Sequence, residues 1–175
     1  MANREALREL QTRLAARLLA ARGEGLSMSS WLAVESAGHH FLLPLGQSGE
    51  IFSWSGVQSV PYTQPWFLGV ANLRGTLTGV VDLAGLLGEA SNWSEQSLAD
   101  ASLLAFNAAL DVNAALLVHR LAGLRGTDAF VSSEPPAEDA PAFFGTTYLD
   151  SQGIRWQELN LQTLSQHPAF LSISA

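Results

Sequence analysis

The sequence predicts a mainly β protein: two similar lobes of short strands, a barrel or sandwich architecture, preceded by one amphipathic helix. Three observations carry that expectation. Most of the chain reads as short apolar runs separated by glycine turns, the pattern of barrels and sandwiches. One unit occurs twice, as "FLGVANLRGTLTGVVDLAGLL" and "FFGTTYLDSQGIRWQELNLQTL". Gly69 aligns with Gly145 and Leu73 with Leu149; after two extra residues, Gly75 aligns with Gly153, Leu83 with Leu161 and Leu86 with Leu164. Asp82 falls opposite Asn160. Each copy reads strand, tight turn, strand, short helix, and a repeated supersecondary unit implies lobes of similar construction. Third, residues 4–22 carry Leu7, Leu10, Leu14 and Leu18 at helical spacing among arginines and glutamates.

The elements follow in order. The first helix ends at the "GEG" of Gly23–Gly25. Its leucine stripe either docks on the body or meets a partner helix or a second copy. "WLAVESA" and "HFLLPLG" form a hairpin about "AGH", and "EIFSW" is a third short strand. Pro61 and Pro65 make "SVPYTQP" an extended loop. "FLGVANL" and "TLTGVVDL" are strands joined by "RG", and "LAGLL" is a helical turn closed by Gly88. Ala90 to Ser97 reads as a polar loop, and "SLLAFNA" and "NAALLVHRLAGLRG" as further strands. "VSSEPPAEDAPA" reads as a solvated, acidic, proline-rich loop. The second copy of the repeat closes the pattern, and "SQHPAFLSISA" offers a short final strand after Pro168.

Composition bounds the function. The chain has 175 residues, enough for one compact domain or two small packed subdomains. Its 47% hydrophobic and 14% charged content supports a real core. With no cysteine, disulfides and thiolate metal sites are excluded. The net charge is -7, every basic residue is arginine, and five of the nine arginines precede Gly23. The body therefore lacks the clustered positive charge that nucleic acid or an anionic membrane requires. Glu5 and Glu9 rule out a secretory start. No segment approaches the roughly 20 apolar residues of a membrane span. A cytoplasmic, soluble protein is expected.

No catalytic set lines up. His39, His40, His119 and His167 include no metal-binding pair at helical spacing. Ser55 in "FSWSG" lacks the glycine elbow of a hydrolase nucleophile, and "GVANLRG" lacks the spacing and lysine of a phosphate loop. Asp82 is the one acid embedded in a strong strand pattern. Its expected role is to accept hydrogen bonds from backbone N–H groups where strand becomes helix. These readings predict no enzyme, no cofactor and no metal. Small residues at Gly69, Ala71, Gly75 and Gly79 let a backbone or partner approach closely, and Asn72 and Arg74 are the polar groups offered there. Arg74 is either a pre-positioned donor to a partner carboxylate or carbonyl, or the solvated tip of a hairpin.

"VPYTQPWFLGVANLRGTLTGVVDLAGLLG" resembles the hallmark segment of CheW-like domains: a proline-bearing loop, a G-V-x-N-x-R-G turn and a strand ending in V-D-L. "ALLVHRLAGLRG" and "FFGTTYLDSQGIRW" are similar to the family's second-lobe segment and closing hairpin. The Arg-rich start and "LQTLSQHPAFLSIS" resemble the branch that serves type IV pilus twitching. The resemblance implies two intertwined SH3-like five-stranded β-barrels over residues 26–175, with 1–25 as a helical extension. It implies a non-catalytic adaptor between the cytoplasmic tip of a methyl-accepting chemoreceptor and the CheW-like domain of a histidine kinase. Gly69, Asn72, Arg74 and Gly75 are then partner-binding, at the receptor-facing junction between the lobes, and Asp82 is a structural motif residue. The N-terminal helix offers a route to self-association. Gly79 stands where the family usually has proline, His119 where an aspartate is common, and Asn160 where many members have aspartate. The alternatives are a flagellar-type coupling protein, a dimeric β-barrel module of unrelated use, and a small barrel enzyme using Asp82 with a histidine.

Overall fold

The computed structural model describes residues 2–23 and 30–175, with side chains for 4–17 and 30–175. The expected boundary between residues 25 and 26, the stop at Glu24–Gly25 and the Leu18 side chain lie outside the described residues.

Helix α1 (Ala2–Gly23) precedes the hairpin β1 (Ser30–Ser36) and β2 (His39–Pro44). Strand β3 (Ser48–Ser53) follows, then β4 (Phe67–Leu73), β5 (Thr76–Asp82) and the short helix α2 (Leu83–Leu86). After α3 (Glu95–Asp100) come β6 (Ser102–Phe106), β7 (Ala114–Val118), β8 (Arg120–Gly126) and β9 (Phe130–Glu134). The chain closes with β10 (Phe144–Asp150), β11 (Arg155–Leu159), α4 (Leu161–Gln166) and α5 (Pro168–Leu171).

The strands form two sheets, ordered β8-β1-β2-β11-β10-β9 and β3-β6-β7-β5-β4. The two orders follow one plan. A central hairpin, β1–β2 or β6–β7, takes a repeat hairpin beside it in parallel, β11 against β2 and β5 against β7. The other flank is filled from the opposite half of the chain. Strand β3 leaves the β1–β2 hairpin to pair with β6, and β8 leaves β6–β7 to pair with β1. The lobes thus exchange one strand each.

The main core lies between the sheets. Leu32, Val34, Phe41 and Leu43 meet Val81, Leu104, Leu116 and Val118, and Leu83, Leu161 and Leu164 from α2 and α4 close its ends. Each sheet also packs its other face. Val80, Leu103 and Leu117 meet Trp54 and Trp93 on one, and Trp31, Leu42 and Trp156 cluster on the other. Burial on both faces explains why "AALLV" and "WLAV" read as unbroken apolar runs rather than alternating ones.

The resemblance implies five-stranded barrels; the structure is mainly β, in two sheets whose described pairings run over six and five strands, β9 being the additional one. Two sequence expectations change. Residues 131–134 belong to β9, not to the acidic loop: Ser132 and Ser133 pair with Leu149 and Tyr148 of β10. The tail makes helix α5 in place of a final strand. Pro168 sits in its first turn, where no N–H is needed, and His167 Nδ1 accepts the Ala169 N–H at 3.1 Å. In addition, the polar stretch after Ala90 ends in α3, opened by a Ser94–Ser97 capping box.

Helix α1 docks on the body in cis, but not by the whole leucine stripe. Leu14 enters the main core, Leu10 is 42% exposed, and Gln11 is buried between them. Gln11 Nε2 donates to Ser102 Oγ at 2.7 Å, and Gln11 Oε1 accepts from Ser53 Oγ at 2.6 Å. Ser53 and Ser102 are opposed across the β3–β6 pair, so one amide clamps both strands. Replacing Gln11 by alanine removes one buried and one part-buried hydrogen bond, and the expected loss in urea denaturation is about 1–3 kcal/mol. Amide exchange in residues 7–17 should accelerate with it.

Candidate partner-binding turn and cleft

The site is built on the β4–β5 hairpin. Leu73 pairs with Thr76, leaving Arg74 and Gly75 as a two-residue turn with φ of 52° and 80°. Positive φ at both positions is the hairpin geometry that matches the natural twist of the strands. Gly75 adopts it freely; Arg74, with a β-carbon, does so at a cost of about 1–2 kcal/mol. Asn72 Oδ1 accepts the Gly75 N–H at 2.7 Å and tightens the turn. Arg74 is therefore projected from a backbone with little freedom. Its Nη2 lies 2.9 Å from Glu50 Oε1 on β3, with 75% and 44% of the two side chains exposed. A pair this open to water contributes little stability and can be exchanged for a partner's carboxylate.

Beside this turn lies an open cleft of about 500 Å³, lined by Glu50, Phe52, Arg74, Thr76, Thr78 and Asn113 among others. Its walls come from β3, β5, β6, β7 and the β6–β7 connection. The cleft next to Arg74 is thus lined by strands of one sheet. The reason is the strand exchange, which puts β3 and its Glu50 on the far flank of the Arg74 sheet. A second cleft of about 560 Å³ does join the halves, where His39, Phe41, Phe144 and Arg155 of the first sheet face Leu87 and Glu89 beyond α2.

Gly69 is buried with φ 139°, and a β-carbon there would overlap the carbonyl oxygen of Gln58. Gln58 and Val70 exchange two backbone hydrogen bonds, at 2.8 and 2.9 Å. The glycine makes room for the loop that seals the open edge of β4. Gly79, where the family pattern has proline, donates its N–H to Asn113 O at 2.9 Å, a bond that proline could not make. These geometries divide the four proposed partner residues: Asn72, Arg74 and Gly75 are exposed on the turn, and Gly69 lies inside against a backbone loop.

Asp82 is 3% exposed and stands at the N-cap position of α2. Its side chain makes no cap bond to the helix, contrary to the expectation. Oδ2 instead accepts from Ser91 Oγ, and Gly85 leaves space for the carboxylate: a β-carbon there would sit 2.8 Å from Oδ2. The aligned Asn160 does cap its helix, accepting the Thr163 N–H at 2.9 Å. Among the described residues, Asp82 Oδ1 and Trp93 Nε1 are the buried side-chain polar atoms without a partner.

The histidines are dispersed. His39 and His40 stand at the start of β2 near Glu89 and Glu35, at 3.2 and 3.3 Å. His119 lies between the sheets, and no group of three or more metal-ligating side chains gathers among the described residues. One acid escaped the sequence reading. Asp150 opens the β10–β11 turn: Oδ1 accepts the Gln152 and Ile154 N–H groups, both at 2.9 Å, and Oδ2 accepts Trp156 Nε1 at 3.0 Å. These bonds, Trp156 foremost, hold its pKa below the usual 3.8. The signal was present as an aspartate opening "DSQG", the arrangement of a side chain that closes its own turn.

Two sheets that exchange one strand each, with an ordered arginine turn at the end of one hairpin, define a paired-lobe β fold. The chain belongs to the CheW-like domain family, whose model matches residues 30–168. It is 30% identical to Protein PilI of Pseudomonas aeruginosa over 161 residues, 89% of this chain and 86% of that one. The fold is similar to that in the crystal structure of the scaffolding protein TtCheW from Thermoanaerobacter tengcongensis. That likeness has a TM-score of 0.66 at 17% identity, over 82% of this chain and 96% of that one.

Two outcomes follow from the geometry. Gly69→Ala forces the 58–59 loop off β4, and overpacking of this kind costs about 1–3 kcal/mol before the strain of the positive φ is added. The loss should be read as a lowered urea midpoint. Asp150 has a depressed folded pKa, so its stabilisation is complete above the ordinary carboxylate value and is lost as pH falls through the folded one. Asp150→Ala should melt several degrees below the parent at neutral pH, and the gap should narrow on titration to about pH 2.5.

Proposed function

We propose that this chain is a non-catalytic adaptor of a chemosensory system controlling type IV pilus twitching motility. In this reading it works in the cytoplasm and couples the tip of a methyl-accepting chemoreceptor to the CheW-like domain of a histidine kinase. The observation that carries it is the likeness to Protein PilI, which covers 89% of the chain and so runs beyond residues 30–168 of the shared domain. The two sheets are read as the SH3-like barrels of the family, and residues 26–175 as its domain.

Within this reading Arg74 is the recognition group. Its guanidinium has five N–H donors in a planar fork that matches a carboxylate. The strained turn orients it, and the exposed Glu50 holds it only weakly. Asn72 and Gly75 keep the turn in shape, and Gly69 acts at one remove by seating the 58–59 loop. A helical receptor tip offering a carboxylate to the turn would displace Glu50.

Arg74→Ala should weaken binding to a purified receptor-tip hairpin by about tenfold or more, the range of an arginine that anchors an interface. Its Tm should shift by no more than about 2 °C, since the pair it breaks lies at the surface. Unchanged affinity with a collapsed Tm would end the recognition role of the turn. In cells, deletion should abolish surface spreading by pili and spare swimming bias; the reverse would favour the flagellar pathway.

A further inference from the structure

We infer that His119 is a positioning residue that pins the β1–β2 turn of one sheet to the strand crossing over from the other, and that it does so only as a neutral imidazole. His119 is the single residue between Val118, which ends β7 in one sheet, and Arg120, which begins β8 in the other. Both its backbone and its ring hold the same turn. The His119 N–H donates to Glu35 O at 3.0 Å. Nδ1 accepts the Ala37 N–H at 3.1 Å and lies 3.2 Å from Ser36 Oγ.

The turn has need of such a partner. Ser36 pairs with His39, so Ala37 and Gly38 form a two-residue turn with φ of 50° and 80°. The N–H of the first turn residue has no place in the hairpin ladder, and on this half-buried residue the ring supplies its acceptor in place of water. Ala37 also carries a β-carbon in the left-handed region, a conformation that the hairpin requires and the side chain disfavours. Nδ1 answers the orphan donor, and Ser36, wholly buried, adds a hydroxyl beside the same nitrogen.

A ring nitrogen has one lone pair. It accepts from Ala37 only while unprotonated, which places the ring hydrogen of the neutral form on Nε2. Protonation at Nδ1 would set two N–H groups against each other. The groups around the ring pull in opposite directions. Asp82 on β5 favours the imidazolium. The Trp93 ring, stacked at 3.8 Å and 13°, also attracts a cation. On β1, Glu35 is engaged by Arg120 at 2.7 and 2.8 Å and approached by His40 at 3.3 Å. Burial outweighs the rest and holds the His119 pKa below the ordinary 6.5. The folded state therefore favours the neutral ring. The bond is intact above the ordinary value and is lost as pH falls through the folded one.

A partner touching both sheets would sense the loss as a change in their mutual setting. That consequence rests on the adaptor reading; the pin itself does not. The test is made on the full chain, without any partner, by NMR with nitrogen-15-labelled histidine. His119 should show the Nε2–H tautomer near neutral pH. On titration from about pH 8 to about pH 5, the protection factor of the Ala37 amide should fall about tenfold or more in step with the ring. His119→Asn keeps an acceptor near the Nδ1 position and should retain Ala37 protection without a pH step. His119→Gln moves the amide outward and should lose protection at every pH. An Nδ1–H tautomer, or Ala37 protection indifferent to the ring's titration, overturns the inference. The wild-type tautomer decides the matter even if both variants fail to fold. Receptor-tip affinity measured over the same range separates the two ideas: a pin that titrates without changing affinity leaves the inference standing and removes only its link to the adaptor role.

Discussion

The structure depends on the exchange of β3 and β8 between the two sheets. Each lobe completes its hydrogen-bonded order with a strand from the other half of the chain, and both turn their inner faces to one apolar core. Hydrophobic burial scales with the area removed from water, and here most of that area disappears only when the lobes meet. Neither half could bury Leu32, Val34, Leu104 and Leu116 by itself. Helices α2 and α4 cap the ends of this core because the repeated hairpins each run into a short helix carrying leucines at corresponding positions, Leu83 and Leu161. The internal repeat in the sequence is thus a repeat in how the core is closed.

What was legible in the sequence followed from local physics. The strands announced themselves through double-sided burial, and the turns through residues that tolerate positive φ. Gly75, Gly88 and Gly153 all lie where the pattern put a turn. What escaped was tertiary. Strand β9 is polar and mostly exposed, and exists because β10 offers it an edge. Pro168 opens a helix as readily as it opens a strand, and packing of Phe170 into the core decided between them. Asp82 took a hydroxyl from nine residues onward instead of the helix N–H groups beside it. No local signal reveals which sheet β3 will join, and so which strands line the cleft beside Arg74.

Rigidity comes from backbone that is held in unusual but well-supported conformations, at Arg74, at Gly69 and at the Ala37 turn. In each case a polar group from elsewhere in the chain fixes the geometry: Asn72 for the first, the Gln58 backbone for the second, His119 for the third. Groups held in this way have little conformational entropy left to lose in any contact they make.

The glutamine clamp under α1 has a further meaning. A leucine at position 11 would leave the hydroxyls of Ser53 and Ser102 without their amide partner, and Leu14 alone would then set the register of the helix. Gln11 adds a directional constraint: this alignment brings its amide within reach of both Ser53 and Ser102, and a shifted one leaves a buried amide without these partners. The side chain acts as a key cut for one lock, trading some depth of binding for uniqueness of fit. That uniqueness also sets the heading of the amino-terminal turns, so Arg4 and Arg8, which border a recess against Trp54 and Glu95, are displayed at a constant bearing to whatever approaches from that side.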